Sequence, residues 1–176
     1  MRLRNDLNAD YVRSILDYYP ETGELRWKFR DHASNQVNAR LVGKLAGTIA
    51  TSGKRKCIQI IIDGKSYLGH RLAWLIMTGE WPKEDIDHKD LDRINNKWEN
   101  IREASRSQNC CNKEKIDNCT SDFKGVAWHK NRKKWQAYIC LNKVQKYLGI
   151  FDSQEAAYAA YCKASNEFHG VFSRVA

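Results

Sequence analysis

Hydrophobic residues at helical spacing mark the first part of the chain. Val12, Ile15 and Leu16 fall on one face of a helix that begins after Asn8, and asparagine is a common helix N-cap. Leu7 precedes that cap, where an apolar side chain packs back onto the first turns of a helix. The pattern therefore predicts a short amphipathic helix, with Leu7 packed against Val12.

A turn and a strand are predicted after this helix. We expect the helix to end near residues 19–20 and the chain to turn at residues 20–23, which read Pro-Glu-Thr-Gly. Residues 25–29 alternate between apolar and charged side chains, as a half-buried strand does. Residues 31–46 are polar without a clear period, so no regular element is expected there.

The clearest β-hairpin signal lies near residue 60. Residues 56–62 and 66–70 are strand-like and are separated by Asp63 and Gly64, a pair that favours a tight two-residue turn. Residues 71–78 then place apolar side chains on one helical face, followed by a glycine that ends helices well. This region predicts a hairpin leading into a helix.

The middle of the chain alternates short apolar stretches with a polar loop. Residues 86–88 and 98–102 read as strands, and residues 89–97 between them are rich in Asp and Asn. Residues 105–115 suit a short helix. The predicted order is therefore strand, loop, strand and helix.

The last part predicts three strands and a helix. Residues 123–129, 134–140 and 146–151 are strand-like, with basic and Asn-containing turns between them, and a helix through about residue 168 follows. These elements predict a small three-stranded antiparallel sheet packed on one helix. With the helices and hairpins upstream, the fold class is α+β.

Two details of that last helix can be read from spacing. Asp152 and Glu155 have the spacing of a capping box, so we expect Asp152 to be the N-cap. Ala156, Ala160 and Ala164 form a stripe of small residues that would let the helix lie close to the sheet. The opposite face of the sheet then combines aromatic and polar groups, with Trp128, Lys130, Gln136, Tyr138 and Tyr147 as its expected members.

The charge of the chain favours a polyanionic partner. The 176 residues carry 30 Lys and Arg against 21 Asp and Glu, a net charge of +9. Residues 121–176 have nine basic and four acidic side chains, a net of +5, which leaves +9 − 5 = +4 for the rest. We expect three parts, at residues 1–54, 55–115 and 121–176, and nucleic acid ahead of an anionic membrane surface as the partner.

Several classes of protein are disfavoured by composition. No uncharged apolar run approaches the roughly 18 residues of a spanning helix, and the amino terminus lacks the apolar core of a signal peptide. The six cysteines contain no C-x-x-C pair, which disfavours a structural zinc site. We therefore expect a soluble, unsecreted protein with reduced thiols.

The polar residues of the central segment have the side chains that phosphodiester hydrolysis needs. An imidazole titrates near neutral pH, so His88 is the candidate general base. Carboxylate and amide oxygens are natural ligands of a hard divalent cation, so Asp87 and Asn109 are the candidate metal ligands. Asn100 supplies an amide that can orient the loop between the strands.

Residues 55–115 resemble the HNH nuclease family, in particular its phage and intron homing-endonuclease branch. The resemblance lies in four motifs: His70-Arg71-Leu72, Asp87-His88-Lys89-Asp90, Asn95-Asn96-Lys97-Trp98-Glu99-Asn100-Ile101 and Ser107-Gln108-Asn109. It implies a ββα-metal unit in which His88 is the general base, Asp87 and Asn109 bind metal, and Asn100 holds the loop.

The same resemblance bears on the metal and on two neighbouring residues. Many family members have histidine where Asn109 stands, and an amide ligand favours one Mg²⁺ or Mn²⁺ ion per site over zinc. His70 either approaches the site or packs, and we expect it to pack. Arg71 is expected to hold a neighbouring DNA phosphate.

Residues 121–174 resemble the Apetala-two, or ethylene response factor, type of DNA-binding domain. The resemblance rests on Gly125-Val126-Ala127-Trp128, Trp135-Gln136-Ala137-Tyr138-Ile139, Tyr147-Leu148-Gly149-Ile150-Phe151 and Glu155-Ala156-Ala157-Tyr158-Ala159-Ala160-Tyr161. It implies a sheet in the DNA major groove. The residues it places near DNA are Lys124, Trp128, His129, Tyr138 and Tyr147, beside Lys130 on the expected open face.

Together these features predict a site-specific, homing-type endonuclease that acts on double-stranded DNA. The expected protein is a monomer or weak homodimer without an obligatory protein partner, in the bacterial host cytoplasm if it is phage-encoded. Two alternatives remain open: a DNA-binding transcriptional regulator with an inactive HNH scaffold, and a protein that binds or cuts RNA.

Overall fold

The structure is a computed structural model that describes residues 4–53, 55–111, 120–141 and 144–173. Contacts within the chain divide it into two units, Met1–Glu103 and Ala104–Ala176. The predicted division at residues 54 and 115–121 stays a prediction. Among the described residues, none of the helices combines the length and the apolar character needed to span a bilayer.

The first unit opens with helix α1, Ala9–Ile15, whose cap is the predicted one. The side chain of Asn8 accepts a hydrogen bond from the Tyr11 backbone N–H at 2.7 Å, and Leu7 packs on the core that contains Val12. The helix ends before the predicted residues 19–20. The apolar pattern that predicted the helix continues into a strand, since Leu16 is the first residue of the next element.

That element is the β1–β2 hairpin, formed by β1, Leu16–Tyr19, and β2, Glu24–Trp27. The strands pair antiparallel, with Leu16 opposite Trp27 and Tyr19 opposite Glu24. The predicted turn at residues 20–23 therefore closes a hairpin instead of joining a helix to a strand. Gly23 completes the turn with φ 76°.

Residues 31–46, expected to be irregular, contain helix α2, Asn35–Leu41. The Ser34 side chain caps it by accepting from the Val37 N–H, and the buried Asn38 side chain bonds both the N–H and the carbonyl of Arg30. Contacts of this kind, made by a polar residue, leave no hydrophobic period in the sequence. The expectation of an irregular segment was therefore wrong.

A three-stranded antiparallel sheet follows, with β3, Thr48–Ser52, β4, Arg55–Ile62, and β5, Lys65–Leu68. The predicted hairpin is confirmed, and Asp63 and Gly64 both have positive φ, 49° and 72°, as a type I′ turn requires. Helix α3, Gly69–Thr78, begins two residues before the predicted start and ends at Gly79.

The core of the first unit joins residues on both sides of position 54. Val12 of α1, Leu25 of β2, Ile60 of β4 and Leu72 of α3 lie in one buried cluster. Burial of such side chains stabilises a domain by about 1.5–3 kcal/mol each. The amino-terminal elements therefore pack directly on the sheet and helix that precede the candidate site.

A second two-stranded sheet carries the candidate site. It pairs β6, Asp85–His88, with β7, Ile101–Ala104, and Ile86 and Ile101 pack with Ala73 of α3. The second strand begins three residues later than predicted, because residues 98–100 form a turn. These strands are followed in the chain by α4, Arg106–Cys111, while the predicted helical residues 112–115 lie outside the described residues. The expected ββα-metal arrangement stays a prediction.

The second unit contains the predicted three-stranded antiparallel sheet packed on one helix. Its strands are β8, Val126–His129, β9, Lys134–Leu141, and β10, Val144–Phe151, in the order β10-β9-β8. Helix α5, Gln154–His169, covers one face and is followed by a 3₁₀ turn at Gly170–Phe172. Together with the first unit, this makes a mixed α+β architecture.

Two details of α5 differ from the predictions. The N-cap is Ser153, whose hydroxyl accepts from the Ala156 N–H at 3.1 Å, whereas Asp152 forms an ion pair with Lys134 at 2.7 Å. The helix buries Ala157, Tyr161 and Ala164, so Ala164 of the predicted stripe packs on the sheet, whereas Ala160 is partly buried and Ala156 is exposed. The cap was misplaced by one residue, and the buried face only in part.

The faces of the sheet follow from its register. Tyr138 pairs with Tyr147 on the face opposite the helix, and their ring centroids lie 5.2 Å apart. Trp128 pairs with Trp135, which alternates in step with the buried Ala137, so Trp128 lies on the helix side at the edge of the sheet. The expectation that Trp128 shares a face with Tyr138 was wrong, because a shift of one residue in strand register moves a side chain to the other face of the sheet.

Candidate active site

His88 ends strand β6 and is buried, with 4% of its surface exposed. Its Nε2 lies 3.1 Å from Oδ1 of Asn96, which is itself buried in the loop after the strand. An amide oxygen accepts only, so in the neutral imidazole Nε2 carries the proton and Nδ1 the lone pair. This contact therefore selects one tautomer of the candidate base.

Burial is the main influence on the charge of His88. It lowers the pKa of His88 below the ordinary imidazole value, while the hydrogen bond to Asn96 and the nearby Asp90 and Asp87 carboxylates act in the opposite direction. Because the lowering dominates, the ring is neutral at neutral pH. A neutral imidazole is the form that accepts a proton from water.

Asn100 holds the loop between β6 and β7 by three hydrogen bonds of its side chain. Its Oδ1 accepts from the Asp90 backbone N–H at 3.1 Å, and its Nδ2 donates to Asp90 Oδ1 at 2.9 Å and to the Asn95 carbonyl at 2.7 Å. These bonds join the two ends of the segment that follows His88. The arrangement suits the loop-holding role expected of Asn100.

Asp90 forms the centre of the same loop. Its carboxylate accepts from the Asp92 backbone N–H at 2.9 Å and from Asn95 Nδ2 at 2.7 Å, besides the bond from Asn100. Burial acts to raise the pKa of Asp90, but the bonds from Asn100 and Asn95 outweigh it and the pKa is lowered. Asp90 therefore stays ionised as a structural acceptor.

Asp87 is buried beside His88 and is held by an arginine that the sequence did not single out. Arg102 of β7 donates from Nε at 2.9 Å and from Nη2 at 2.8 Å, both to Asp87 Oδ2. Charge-assisted bonds of this kind are strong and orient the carboxylate. A cation bound at Asp87 would share the carboxylate with Arg102.

His70 was expected to pack instead of approaching the site, and the structure shows that it does both, because it is buried against the candidate base. The ring centroids of His70 and His88 are 5.1 Å apart and their planes are nearly perpendicular, at 89°. His70 Nδ1 is buried and has no hydrogen-bond partner among the residues that the structure describes. Burial, with smaller effects of His88 and nearby arginines, lowers the pKa of His70 to about 3, so this ring is neutral.

Arg71 was expected to contact a phosphate, yet it is only 5% exposed. Its guanidinium donates to the carbonyls of Glu84 and Pro82 and to Asn5 Oδ1, at 3.1–3.3 Å. These bonds hold the arginine inside the first unit. The phosphate contact stays a prediction that this buried position disfavours.

The candidate metal ligands are Asp87 and Asn109. Asn109 lies on α4, half-buried, and its role as a ligand stays a prediction. No group of three or more His, Cys, Asp or Glu side chains in the described ranges could hold a metal ion. Mg²⁺ usually keeps several waters and needs only one or two protein carboxylates besides substrate phosphate, so Asp87 with an amide oxygen fits it.

Asn96 and Arg102 are the site residues that sequence reasoning missed. Asn96 stands next to Asn95 in a polar loop, and the spacing does not say which of the two amides faces His88. Arg102 lies in a predicted strand, where its alternation with Ile101 was the available signal that it points toward the strand's other face. Only the pairing of β6 with β7 brings it to Asp87.

The candidate DNA-contacting residues of the second unit are more dispersed than expected. Tyr147 is half exposed on the open face beside Tyr138, and His129 pairs with Lys134 at the end of β8. Lys130 is exposed in the turn after β8, and Lys124 precedes that strand. Tyr138, Tyr147 and His129 thus share one face of the sheet, while Trp128 lies at the edge of the other.

Comparisons with known proteins agree with the chemistry of this region. Residues 67–110 match the family described as HNH endonuclease. Protein 3.8 of Escherichia phage T7 is 30% identical over 106 residues, which cover 60% of this chain and 87% of the phage protein. No solved structure matches the chain significantly.

Proposed function

We propose that this protein is a site-specific, homing-type DNA endonuclease. The chain belongs to the protein family that includes protein 3.8 of Escherichia phage T7, and its residues 67–110 form an HNH endonuclease domain. The observation that best supports this function is the buried, neutral His88 whose tautomer is selected by Asn96. A ring held in this way is prepared to take a proton.

The reaction is hydrolysis of a phosphodiester. His88 removes a proton from water through Nδ1, the water oxygen bonds to phosphorus, and the bond from phosphorus to the 3′ oxygen breaks. The departing oxygen takes up a proton from solvent, which leaves a 3′-hydroxyl and a 5′-phosphate, and His88 then returns its proton to solvent. Asp87 and Asn109 are the residues that would hold one Mg²⁺ or Mn²⁺ ion, and such an ion would supply positive charge to the phosphate and the departing oxygen.

Asn100 and Asn96 act on this reaction through His88. Asn100 closes the loop by its bonds to Asp90 and Asn95, and Asn96 holds the ring at Nε2. Neither side chain needs to touch the substrate. Their contribution is to hold the base in the orientation required for proton transfer.

The second unit directs the enzyme to duplex DNA as an Apetala-two type domain. A small sheet can enter the major groove, where base edges are distinguishable. Tyr138, Tyr147 and His129 contact the groove from the open face, and Lys124 and Lys130 contact phosphates. Trp128, from its position at the sheet edge, supports the same interface.

The proposed enzyme works as a monomer or weak homodimer in the cytoplasm of a bacterial host and needs no other protein. Its net charge of +9 supports association with DNA, because basic side chains release counterions from phosphates. One nuclease centre per chain favours nicking by a monomer.

A plasmid assay tests this function. Purified protein with supercoiled plasmid and Mg²⁺ should yield nicked or linear DNA, and chelation of the metal should stop the conversion. His88→Ala should slow cleavage by roughly 10²–10⁴-fold, the usual contribution of a general base. The exposed His32 provides a matched control, since His32→Ala removes an imidazole outside the site.

The same assay decides the second candidate function, a transcriptional regulator with an inactive scaffold. The bonds from Arg102 to Asp87 favour this alternative, because they engage one oxygen of the carboxylate that would bind the metal. A regulator would retard DNA on a gel without converting supercoiled plasmid. An endonuclease would retard DNA on a gel and would also convert supercoiled plasmid. Its His88→Ala variant would keep the mobility shift.

A further inference from the structure

The amino-terminal β1–β2 hairpin contacts the loop that carries Asn96. The Tyr18 hydroxyl donates to the Asn96 carbonyl at 2.7 Å, and the Pro20 carbonyl accepts from the Trp98 N–H at 3.0 Å. Both contacts cross from one end of the first unit's sequence to the other. One of them is made to Asn96, whose side chain holds His88, and the other is made two residues further along the loop.

Gly23 brings the turn of the hairpin against the same loop. A Cβ at Gly23 would lie 2.5 Å from the Asn96 carbonyl carbon and 2.5 Å from the Lys97 nitrogen, a distance that real Cβ atoms do not show. Gly23 also has φ 76°, a conformation that side chains disfavour. The turn and the loop are therefore in contact backbone to backbone.

Asn96 transmits these contacts to the base. It is 2% exposed, with its carbonyl bonded to Tyr18 and its side-chain oxygen to His88. Burial raises the pKa of Tyr18, so its hydroxyl remains a neutral donor in ordinary buffers. A change at the hairpin would thus reach the imidazole through one residue.

We propose that the β1–β2 hairpin is part of the catalytic apparatus, with Tyr18 and Gly23 as positioning residues that hold His88 through Asn96. The inference rests on the proposed nuclease function and goes beyond residues 67–110, since the hairpin lies upstream of the matched domain. The hairpin touches no reacting atom in this scheme. It sets the orientation of the base.

The first test removes one hydroxyl. Tyr18→Phe should lower kcat for plasmid nicking about tenfold and leave KM nearly unchanged, because a displaced base slows the chemical step more than binding. Tyr19→Phe is the matched control. It makes the same change on the next residue, which is exposed on the other face of β1, and its rate should equal the wild type.

The second test adds one methyl group. Gly23→Ala and Gly43→Ala replace glycines of nearly equal φ, 76° and 75°, but nothing lies within 4 Å of the Cβ position at Gly43. Both variants bear similar backbone strain, so any additional loss of nicking activity in Gly23→Ala reports the contact between the turn and the loop. We expect nicking to fall about a hundredfold for Gly23→Ala relative to Gly43→Ala.

A spectroscopic readout separates positioning from general stability. The ¹⁵N signals of the His88 imidazole report which ring nitrogen carries the proton, and they should change in Tyr18→Phe but not in Tyr19→Phe. Tyr18→Phe adds no atoms, so it keeps the test decisive if Gly23→Ala does not fold. Equal rates and equal imidazole signals in the two phenylalanine variants would overturn the proposal.

The two proposals can fail separately. If the wild type does not nick DNA with Mg²⁺ or Mn²⁺, the nuclease function is contradicted, yet the imidazole signals still show whether the hairpin holds His88. If the wild type nicks DNA and Tyr18→Phe matches it in rate and signals, only the role of the hairpin is lost.

Discussion

Asp87 illustrates how one residue serves stability and candidate chemistry together. Its carboxylate is 4% exposed and bonded to Arg102, so any substitution made to test metal binding also breaks an ion pair in the interior. Removal of one partner of a buried pair is costly, because the other charge keeps its desolvation penalty. A loss of activity at Asp87 therefore needs a stability measurement beside it.

We predict that Asp87→Ala lowers the free energy of unfolding by about 3 kcal/mol. The double variant Asp87→Ala, Arg102→Met should recover most of this loss, since it removes the remaining charge. Asp10→Ala is the control, because Asp10 pairs with Arg13 at the surface, where such a pair contributes at most about 0.5 kcal/mol. Urea unfolding measures all three, and a double variant no more stable than Asp87→Ala would contradict the prediction.

Asp6 provides a pH-dependent contribution of a single residue. Hydrogen bonds from Lys65 and Tyr67, both at 2.7 Å, lower the pKa of Asp6 from its ordinary value of 3.8 to about 2. A carboxyl whose pKa is lower in the folded state stabilises the fold above its unfolded pKa. That contribution is lost as the pH falls from about 4 to about 2.

The expected outcome is a stability difference between wild type and Asp6→Asn that depends on pH. The wild type should be the more stable protein at pH 6, and the difference should shrink between pH 4 and pH 2. Urea midpoints of both proteins across that range are the measurement. A difference that stays constant through the range would show that Asp6 acts without its charge.

At the scale of elements, hydrophobic spacing was sufficient where an element buries one continuous face. The hairpin around Asp63 and helix α3 are of this kind, and both were predicted correctly. Helix α2 is held by its capping serine and by the buried side chain of Asn38, neither of which gives a periodic signal. Local pattern fails where polar tertiary contacts form the element.

The start of α5 shows a similar limit, because Asp152 and Ser153 are both good N-caps by residue type. The ion pair of Asp152 with Lys134 and the bond of Ser153 to Ala156 distinguish them. We predict that Ser153→Ala lowers the free energy of unfolding by about 1 kcal/mol. Asp152→Ala, which breaks only an exposed ion pair, should cost less than about 0.5 kcal/mol in the same thermal or urea unfolding experiment. The reverse order would contradict the cap.

At the scale of the whole molecule, charge is the property that governs encounter with DNA. The residues from 121 onward carry +5 of the total of +9. For affinity that comes from phosphate contacts, the logarithm of the binding constant falls linearly with the logarithm of the salt concentration, with a slope of about 0.9 per contact. Contacts to bases, in contrast, change affinity without changing that slope.

We therefore predict different salt responses for two variants of the cleavage-deficient His88→Ala protein. Lys130→Ala should reduce the salt slope of duplex binding by about one, whereas Tyr147→Ala should weaken binding at every salt concentration with the slope unchanged. Lys83→Ala removes one charge in the first unit and should leave the slope nearly as it was. Equal slope changes for the two lysines would argue against the sheet as the DNA surface.

The sequence by itself determined the types of most elements, the net charge and the set of polar residues that point to phosphodiester hydrolysis, because periodicity, turn chemistry and motif spacing are local properties. It gave His88, Asp87, Asn100 and Asn109 as candidates in this way. Only the tertiary structure decided that Asn96 holds His88 and that Arg102 holds Asp87. It also decided that the amino-terminal hairpin contacts the loop that carries Asn96. Those contacts join residues far apart in the chain, and their energy comes from burial and pairing that no local pattern encodes.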